Sequence, residues 1–284
     1  MGVLLGVGLL AAIGWAFVGQ TEDTSTENET TTAAATTTGP PPKPVLRIVF
    51  PEGFTFAQMA DRVRAVNEIA ETKRKITPSL KPRAYSRLAE RLPPPKGFET
   101  RDTKIPHLEG FLFPATYEFT EDTTTRELIG KQLEAFERAW GELDLRYADS
   151  KKLTSYDVLI IASMVEEEVQ VPRERPLVAA VIYNRLRVGL PLGIDATIRY
   201  GLGIPPTEAI RVSQLESDSP YNTRKFAGLP PTPISNPGLA SIQAAAHPAK
   251  VDYLYFIRKA DCKSHFFTAS EQEFLEYSRA GLQC

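Results

Sequence analysis

The pattern of apolar and polar positions divides the chain into three parts. Residues 2–19 are apolar and carry no charge, and about 18 apolar residues reach the lower limit for crossing a hydrocarbon core of about 30 Å. Residues 20–44 are rich in Thr and then in Pro and lack large apolar side chains, which is typical of a disordered linker. We predict a transmembrane anchor over 1–19 and a disordered linker over 20–44. The alternative for the first segment is a cleavable signal peptide, which normally has basic residues before its apolar run, whereas none precedes this one.

A small α/β module is predicted after the linker. The β-branched and aromatic residues over 45–50 predict a strand. Thr55 can cap a helix whose apolar positions recur at helical spacing as far as Val63. A second helix is predicted from Pro82 to Leu92, where a run of prolines ends it. This order of strand, turn and amphipathic helix resembles a LysM-like module, which we place at 45–104.

A strongly apolar helical pattern follows in the second half of the chain. We predict a helix over 155–170 with an apolar stripe along one side. The stripe consists of Val158, Ile161, Ala162, Val165 and Val169. Glu167 is nearly opposite this stripe and should be solvated, while Glu166 and Glu168 lie on its two borders. Helix geometry alone leaves both of them as candidate site residues, and a solvated polar face is the ordinary interpretation of all three.

The residues before Glu166 are small. Ala162 is one turn earlier and Ser163 is close by, so we expect room for a ligand above this part of the helix. Partial burial beside apolar groups and neighbouring negative charges both raise the pKa of a carboxyl group, which suits a general acid at neutral pH.

Composition narrows the function classes. The chain has 42% hydrophobic and 24% charged residues, which is ordinary for a globular protein. A net charge of −2 provides no overall field that would attract nucleic acid. A basic stretch from Arg62 to Lys104 is interpreted as a solvated face, with a site for an anionic polymer as the alternative.

The two cysteines, Cys262 and Cys284, are too few for a disulfide-rich scaffold. They either bridge, if the domain is outside the cytoplasm, or remain two inert thiols. No Cys/His cluster has metal-ligand spacing, so we expect no metal site.

Several long motifs follow one another along the second part of the chain. They are LEGFLFPATYEF (Leu108–Phe119), IIASMVEEEV (Ile160–Val169), AAVIYNRLRVGLPLGIDATIRYGLG (Ala179–Gly203), SPYNTRKFAGLPPTPISNPGLASIQAAAHPA (Ser219–Ala249) and DYLYFIRKADCKSHFFT (Asp252–Thr268). In this order and at this spacing they resemble the endolytic murein transglycosylases of the MltG/YceG-like family. The resemblance implies an α+β fold, with a catalytic domain over 105–284 behind the anchor, the linker and the LysM-like module.

The resemblance also implies the reaction. In lytic transglycosylation the MurNAc–GlcNAc bond of peptidoglycan breaks while the 6-hydroxyl of MurNAc closes a 1,6-anhydro ring. One carboxyl group can protonate the glycosidic oxygen and then accept the proton of that hydroxyl, and the intramolecular nucleophile removes the need for an activated water. The family motif ASxVExE, matched here by ASMVEEE, implies Glu166 as the catalytic acid/base and Glu168 as a supporting group. No cofactor is expected.

The other motifs supply candidate substrate-binding residues. They are Asn184, Asp195, Tyr221, Asn222, Thr223 and Glu109. Each has a structural alternative: a helix-terminal hydrogen bond for Asn184, a helix cap for Asp195, an ordinary turn for the residues after Pro220, and an ion pair for Glu109. Arg224 stands where the family often has an aromatic residue, which changes the expected substrate contacts rather than the reaction class.

The resemblance further implies cleavage within nascent glycan strands at the outer face of the cytoplasmic membrane, which limits strand elongation. The expected partners are peptidoglycan glycan strands, the peptidoglycan synthases and the membrane through the N-terminal helix, and no nucleic acid. The alternative function is a non-catalytic peptidoglycan-binding scaffold of the cell-wall synthesis machinery, against which the VEEE, YNRL and SPYNT segments argue. A pyridoxal-phosphate lyase would need a Schiff-base lysine and a phosphate cradle, and no Gly-rich cradle stands out.

Overall fold

The computed structural model describes residues 43–98, 107–205 and 207–283. The predicted anchor over 1–19 and all but the last two residues of the predicted linker lie outside the described residues. Lys43–Cys284 forms one compact unit. No helix in the described part of the chain is long and apolar enough to cross a membrane.

Helices make up most of this unit, together with two antiparallel strand pairs. In chain order the elements are β1 (Leu46–Val49), α1 (Phe56–Ile69), α2 (Pro82–Arg91), β2 (Thr116–Phe119), α3 (Thr125–Gly141), α4 (Arg146–Ser150), α5 (Ser155–Glu168), α6 (Arg175–Val188), α7 (Asp195–Leu202), α8 (Val212–Leu215), α9 (Leu239–Ala246), β3 (Tyr255–Arg258), β4 (His265–Thr268) and α10 (Glu271–Arg279). This is the mixed α+β architecture that the sequence predicts.

Local sequence signals account for the first two helices. Thr55 caps α1: its hydroxyl accepts from the N–H of Gln58, and the Gln58 side chain accepts from the N–H of Thr55, a reciprocal capping box. Pro82 is the first residue of α2, a position where the missing N–H costs nothing. α2 ends at Arg91, one residue before its predicted end.

The strand of the first module finds its partner later in the chain. β1 pairs with β2, with Leu46 opposite Phe119 and Val49 opposite Thr116. β1 alternates buried and exposed residues, as expected of a strand with one face on a core. Because β2 follows the predicted boundary at residues 104 and 105, the sheet spans that boundary. The division of the chain at this point stays a prediction.

α5 lies at the centre of the second half. Thr154 caps it, and the carboxylate of Asp157 accepts from the N–H of Thr154 in return. Every residue from Tyr156 to Val165 is buried, so far more of the helix is covered than the single predicted stripe. α9 and α6 pack against it, and each fully buried Leu or Ile contributes about 1.5–3 kcal/mol. Apart from Ser155 at its first position, only the last turn of α5 reaches solvent.

A hairpin formed by β3 and β4 lies near the end of α5. Tyr255 is opposite Thr268, and Arg258 is opposite His265. Cys262, in the turn of this hairpin, is disulfide-bonded. Cys284, the other cysteine of the chain, lies outside the described residues.

Candidate active site

The last turn of α5 presents three consecutive carboxyl groups. Successive residues of a helix point about 100° apart, so Glu166, Glu167 and Glu168 meet different neighbours. Glu166 and Glu168 are half-buried, and Glu167 is exposed, as the helix geometry predicts. The chemistry of each group therefore depends on what packs against its own side of the helix.

Glu166 lies against the start of α9. Its Oε2 accepts a hydrogen bond of 3.0 Å from the N–H of Gly238, the residue that caps α9. A helix N-terminus favours a negative charge, so this contact supports the packing of α5 on α9. Glu52 approaches the same glycine closely enough that a Cβ there would overlap its carboxyl group. Burial, and then the charge of Glu166, raise the pKa of Glu52.

The space beside Ala162 and Ser163 is filled, contrary to the prediction. Both residues are fully buried. The hydroxyl of Ser163 accepts a 3.0 Å hydrogen bond from the N–H of Ile234, and its carbonyl accepts one of 3.4 Å from Ser235. The small side chains of α5 therefore admit another segment of the chain here, rather than a ligand.

Glu168 lies beside the β3–β4 hairpin, and its side chain is 15% exposed. Nη2 of Arg258 is 3.9 Å from Oε2 of Glu168 and donates to the backbone carbonyl of Glu168 at 3.4 Å. Burial raises the pKa of Glu168 to about 7, and the charge of Arg258 opposes this rise. A carboxyl group with a pKa near neutrality populates both protonation states at pH 7, as an acid/base group requires.

Asp195 and Arg224 complete the group around Glu168. Asp195 is the first residue of α7, and its Oδ1 is 2.6 Å from Nε of Arg224. Both side chains are 46% exposed, so their ion pair adds little stability but is open to a ligand. The charge of Asp195 raises the pKa of Glu168, and that of Arg224 lowers it. The structure thus brings together two predicted site residues, Asp195 and Glu168.

A cleft of about 420 Å³ opens between α1 and α7, and Glu167 lines it. Phe56 and Gln58 lie on the α1 side, and Ala196 and Tyr200 on the α7 side. This volume is within the range of ligand pockets. Because Ala196 directly follows Asp195, the cleft and the group around Glu168 are neighbours along α7.

Glu167 also has a raised pKa, of about 7. Desolvation is the main cause, opposed by a hydrogen bond with Ser235, and the charges of Glu166 and Glu168 add to the rise. Since the residue as a whole is exposed, water screens its charge more effectively than it screens that of Glu168. Glu168 is therefore the better-shielded acid of the two.

Glu109 is fully buried beneath this cleft. Its Oε1 accepts from the N–H of Phe56 at 3.0 Å and from the amide of Asn236 at 2.8 Å. Its Oε2 accepts from the hydroxyl of Tyr200 at 3.1 Å. Burial raises the pKa of Glu109 to about 8 despite these donors. Glu109 thus joins the two walls of the cleft and is among the residues that line it, and its contact with substrate stays a prediction.

Asn222 and Thr223 are also buried, at 0% and 2% exposure. The amide of Asn222 donates to two backbone carbonyls of the preceding loop, at 2.8 and 2.9 Å. The hydroxyl of Thr223 accepts from the N–H of Ile194 at 3.1 Å, directly before Asp195. Asn222 thus holds the end of α8 and Thr223 the start of α7, and substrate contact by these two side chains stays a prediction.

Tyr221 is half-buried and packs on α7. Its ring centroid is 5.3 Å from that of Tyr200, and its hydroxyl is hydrogen-bonded to Thr232 at 2.8 Å. A Cβ on Gly201 would come within 2.5 Å of Tyr221, so the glycine permits this close packing. Tyr221 thus packs on Tyr200, which lines the cleft, and a glycan contact by its ring stays a prediction.

Asn184 lies within α6 and contacts a distant segment, which differs from the helix-terminal hydrogen bond that was its structural alternative. Its amide donates to the carbonyls of Val251 and Tyr253, each at 2.9 Å. The neighbouring Arg185 donates to the carbonyl of Leu254 at 2.5 Å. The YNRL motif thus holds the segment that leads into β3, and a bond from Asn184 to a sugar or to Glu166 stays a prediction.

Comparison with known proteins places this arrangement in a family. The family model described as "YceG-like family" matches residues 24–280. The chain belongs to the YceG-like family. A yceG-like protein from Listeria monocytogenes, whose crystal structure was determined at 2.6 Å, is 31% identical with a TM-score of 0.66, over 81% of this chain and 75% of that one.

Two curated relatives of this YceG-like protein carry the name endolytic murein transglycosylase. The protein from Bacillus subtilis (strain 168) is 35% identical over 217 residues, which are 76% of this chain and 59% of that protein. The one from Streptococcus pneumoniae (strain ATCC BAA-255 / R6) is 34% identical over 235 residues, 76% of this chain and 41% of that protein. The chain thus spans less than two thirds of the length of these relatives.

The YceG-like motifs did not point to Arg258, which the structure adds to the site. Arg258 is 90 residues from Glu168 along the chain, and no local pattern marks it. Arg224 was visible as a departure from the motif, but its pairing with Asp195 was not. Both contacts depend on the packing of separate elements against the end of α5.

Proposed function

We propose that this YceG-like protein is an endolytic lytic transglycosylase. It would cut the MurNAc–GlcNAc bond of nascent peptidoglycan strands, leave 1,6-anhydroMurNAc ends and so limit strand elongation. The observation that carries the proposal is the environment of Glu168: a carboxyl group that is 15% exposed, with a pKa of about 7, beside an exposed ion pair and next to a cleft. The names of the relatives support the reaction class.

Glu168 is the proposed acid/base. Its protonated form donates to the glycosidic oxygen as the bond from that oxygen to C1 of MurNAc breaks. The resulting carboxylate accepts the proton of the MurNAc 6-hydroxyl while O6 bonds to C1. Atoms and charge balance without water, since the leaving sugar keeps the proton that Glu168 donates and Glu168 is reprotonated by the proton of the 6-hydroxyl. The nucleophile is held within the substrate, which replaces the positioning of a second reactant.

Asp195 is proposed to stabilise the positive charge that develops at C1. Its carboxylate is close enough to Glu168 to raise the pKa of that residue, and it stays partly exposed. Arg224 orients it through the 2.6 Å ion pair. The neighbouring cleft between α1 and α7 then offers Tyr200 and Gln58 to the sugars.

The choice between Glu166 and Glu168 is a central part of the proposal. The sequence motif favours Glu166, and that assignment stays a prediction. The geometry favours Glu168 for two reasons. Glu166 is held by the N–H of Gly238 at the start of α9. Glu168 lies beside the exposed Asp195–Arg224 ion pair, the only such pair at the end of α5 among the described residues. We assign Glu166 to the support of α9.

The setting of the reaction is part of the same proposal. We infer a single-pass anchor over 1–19, a LysM-like module after the linker, and a catalytic domain on the outer face of the cytoplasmic membrane. Peptidoglycan strands are the substrate, and peptidoglycan synthases are the proposed neighbours. The apolar first segment and the polar linker support this arrangement.

The test is a digestion of purified peptidoglycan strands by the full chain in detergent. Wild type, Glu166→Gln and Glu168→Gln are compared, and the products are separated and weighed. We expect products ending in 1,6-anhydroMurNAc, each lighter by one water than the hydrolysis product. They should persist with Glu166→Gln and disappear with Glu168→Gln.

Other outcomes assign the site differently. Loss of products only with Glu166→Gln would restore the motif-based assignment. Reducing ends in place of anhydro ends would mean hydrolysis. Binding of strands without any product from the wild type would favour the alternative, a non-catalytic peptidoglycan-binding scaffold.

A further inference from the structure

Arg258 holds Glu168 at two points. The same nitrogen, Nη2, donates to the backbone carbonyl of Glu168 at 3.4 Å and lies 3.9 Å from its carboxylate. That carbonyl is in the last turn of α5, where carbonyl groups lack partners within the helix. A cation at a helix C-terminus is also favourable. One side chain therefore fixes both the end of the helix and the orientation of its last glutamate.

The strand that carries Arg258 is anchored opposite this contact. Arg258 is paired with His265 across the β3–β4 ladder. Nδ1 of His265 is 2.8 Å from Oε2 of Glu174, and the N–H of His265 donates to the same carboxylate at 3.1 Å. Both side chains are buried, at 3% and 5% exposure. Because Glu174 follows α5 by only a few residues, this buried pair ties the hairpin to the exit of the helix that ends in Glu168.

The start of the same strand is anchored by α6. Arg185 donates to the carbonyl of Leu254, and its guanidinium lies 5.3 Å from the ring centroid of Tyr255, the first residue of β3. Both ends of this short strand are therefore held by α6 and its N-cap. An arginine on a strand fixed in this way loses little freedom when it contacts Glu168.

We propose that Arg258 is a positioning residue for Glu168 and that the charge of its guanidinium sets the upper pH limit of the reaction. This inference rests on the proposed role of Glu168. The other charged groups that face Glu168 are Asp195 on α7 and Arg224 in the loop after α8, and Glu166 and Glu167 on its own helix. The charges of Asp195 and Arg224 have opposite effects on Glu168, and the two groups are paired with each other. Among the described residues, Arg258 is then the cation near Glu168 that has no other carboxylate as close to it.

The sign of the effect follows from the reaction. A general acid must be protonated, so activity falls as the pH rises through the pKa of that acid. An opposite charge about 4 Å away lowers a carboxyl pKa, and the charge of Arg258 acts on Glu168 in this direction. Removal of this charge should therefore extend activity to higher pH, even though a contact is lost.

The experiment measures kcat/KM against pH for the full chain and three variants. Arg258→Met removes the charge and the donor, Arg258→Lys keeps the charge, and Lys263→Met removes a charge from the exposed turn of the same hairpin. We expect Arg258→Met to move the alkaline limb up by about one pH unit. Arg258→Lys should return it toward wild type, and Lys263→Met should leave it unchanged because solvent screens an exposed charge.

A direct titration of Glu168 separates this inference from the proposed function. Carboxyl ¹³C resonances are followed against pH, and the Glu168 signal is identified by its absence in Glu168→Gln. We expect its midpoint to rise in Arg258→Met by the same amount as the alkaline limb. An unchanged midpoint in a folded Arg258→Met protein would overturn the role of Arg258, as would a raised KM with an unmoved limb, which would mean substrate binding. Full activity of Glu168→Gln would instead refute the proposed function, while the midpoint would still test the contact.

Discussion

Glu109 and Glu168 occupy two regions of the molecule where burial acts on a carboxyl group in the same way but the neighbours differ. Burial raises the pKa of both, to about 8 for Glu109 and about 7 for Glu168. Glu109 is fully enclosed, and its two oxygens accept three hydrogen bonds from three separate segments. Glu168 keeps 15% of its side chain exposed, next to a cleft. A raised pKa alone therefore does not distinguish a structural carboxyl group from a reactive one.

The difference lies in hydrogen-bond partners and access. A buried group whose partners are all supplied by the protein stabilises the fold and has no free lone pair directed at a ligand. The nearest guanidinium nitrogen of Arg258 is 3.9 Å from the carboxylate of Glu168, beyond hydrogen-bonding distance, so a sugar oxygen can still approach this carboxylate. We interpret Glu109 as the junction between the cleft walls and Glu168 as the acid.

Replacement of each glutamate by its neutral isostere glutamine should give the largest difference in activity between the two positions. Glu168→Gln cannot donate an acidic proton, and we expect a loss of about a thousandfold in kcat, or about 4 kcal/mol. Glu109→Gln keeps an acceptor for Phe56 and Asn236, and its activity should stay within about tenfold of wild type. Rates of anhydro-product formation measure both effects. Equal losses in two folded variants would remove the distinction drawn here.

Replacement by alanine should reverse the order of the two positions, because the loss of folding stability should be larger at Glu109 than at Glu168. Glu109→Ala leaves the donors of Phe56, Asn236 and Tyr200 without their acceptor in a buried site, and we expect a loss of about 3 kcal/mol. Glu168→Ala should cost less than about 1 kcal/mol, since its ion pair with Arg258 is long and partly exposed. Urea unfolding gives both values. A larger loss with Glu168→Ala would mean that Glu168 is the structural group.

The pH dependence of stability should also come more from Glu109. Its pKa is raised in the folded state from an ordinary 4.5 to about 8. Its contribution is therefore full below pH 4.5 and is lost as the pH rises toward 8, because the folded state must give up a proton that it binds more tightly than the unfolded state does. We expect a decline on the order of 5 kcal/mol across this window that is absent in Glu109→Gln. Thermal unfolding at several pH values measures the decline, and an equal slope in both proteins would contradict the assignment.

Much of the fold could be predicted because its signals are local. Thr55 and Thr154 cap α1 and α5 through residues three positions later, and α2 stops before the prolines that cannot continue it. The partner of β1 could not be predicted in this way. β2 is about seventy residues away in the chain, and no property of β1 itself selects it.

The candidate site also has a part that local sequence predicts and a part that depends on contacts between distant segments. Helical geometry predicts that the three glutamates point in different directions and that Glu167 is exposed. It does not predict that the start of α9 covers Glu166 or that Arg258 meets Glu168, because both contacts join distant segments. The side chains of Asn222 and Thr223 were expected at the substrate, whereas both are hydrogen-bonded within the protein: Asn222 to backbone groups, and Thr223 to Ile194 and the hydroxyl of Thr197.

The prediction with the smallest expected effect on stability tests which side of α5 presents the catalytic acid. Gly53 has a φ of +78°, and a Cβ there would lie 3.1 Å from Oε1 of Glu167 and 3.7 Å from Cγ of Glu166. Gly97 has a similar φ of +89° and open space around it, so it is a matched control for backbone strain. We expect Gly97→Ala to cost about 1 kcal/mol and Gly53→Ala a few tenths more, measured by urea unfolding. Both should retain most of their activity, because Glu168 lies on another side of the helix. If Gly53→Ala stayed folded but lost activity as severely as Glu168→Gln, the displacement of Glu166 and Glu167 would be the cause, and the acid would have to be sought on their side of α5.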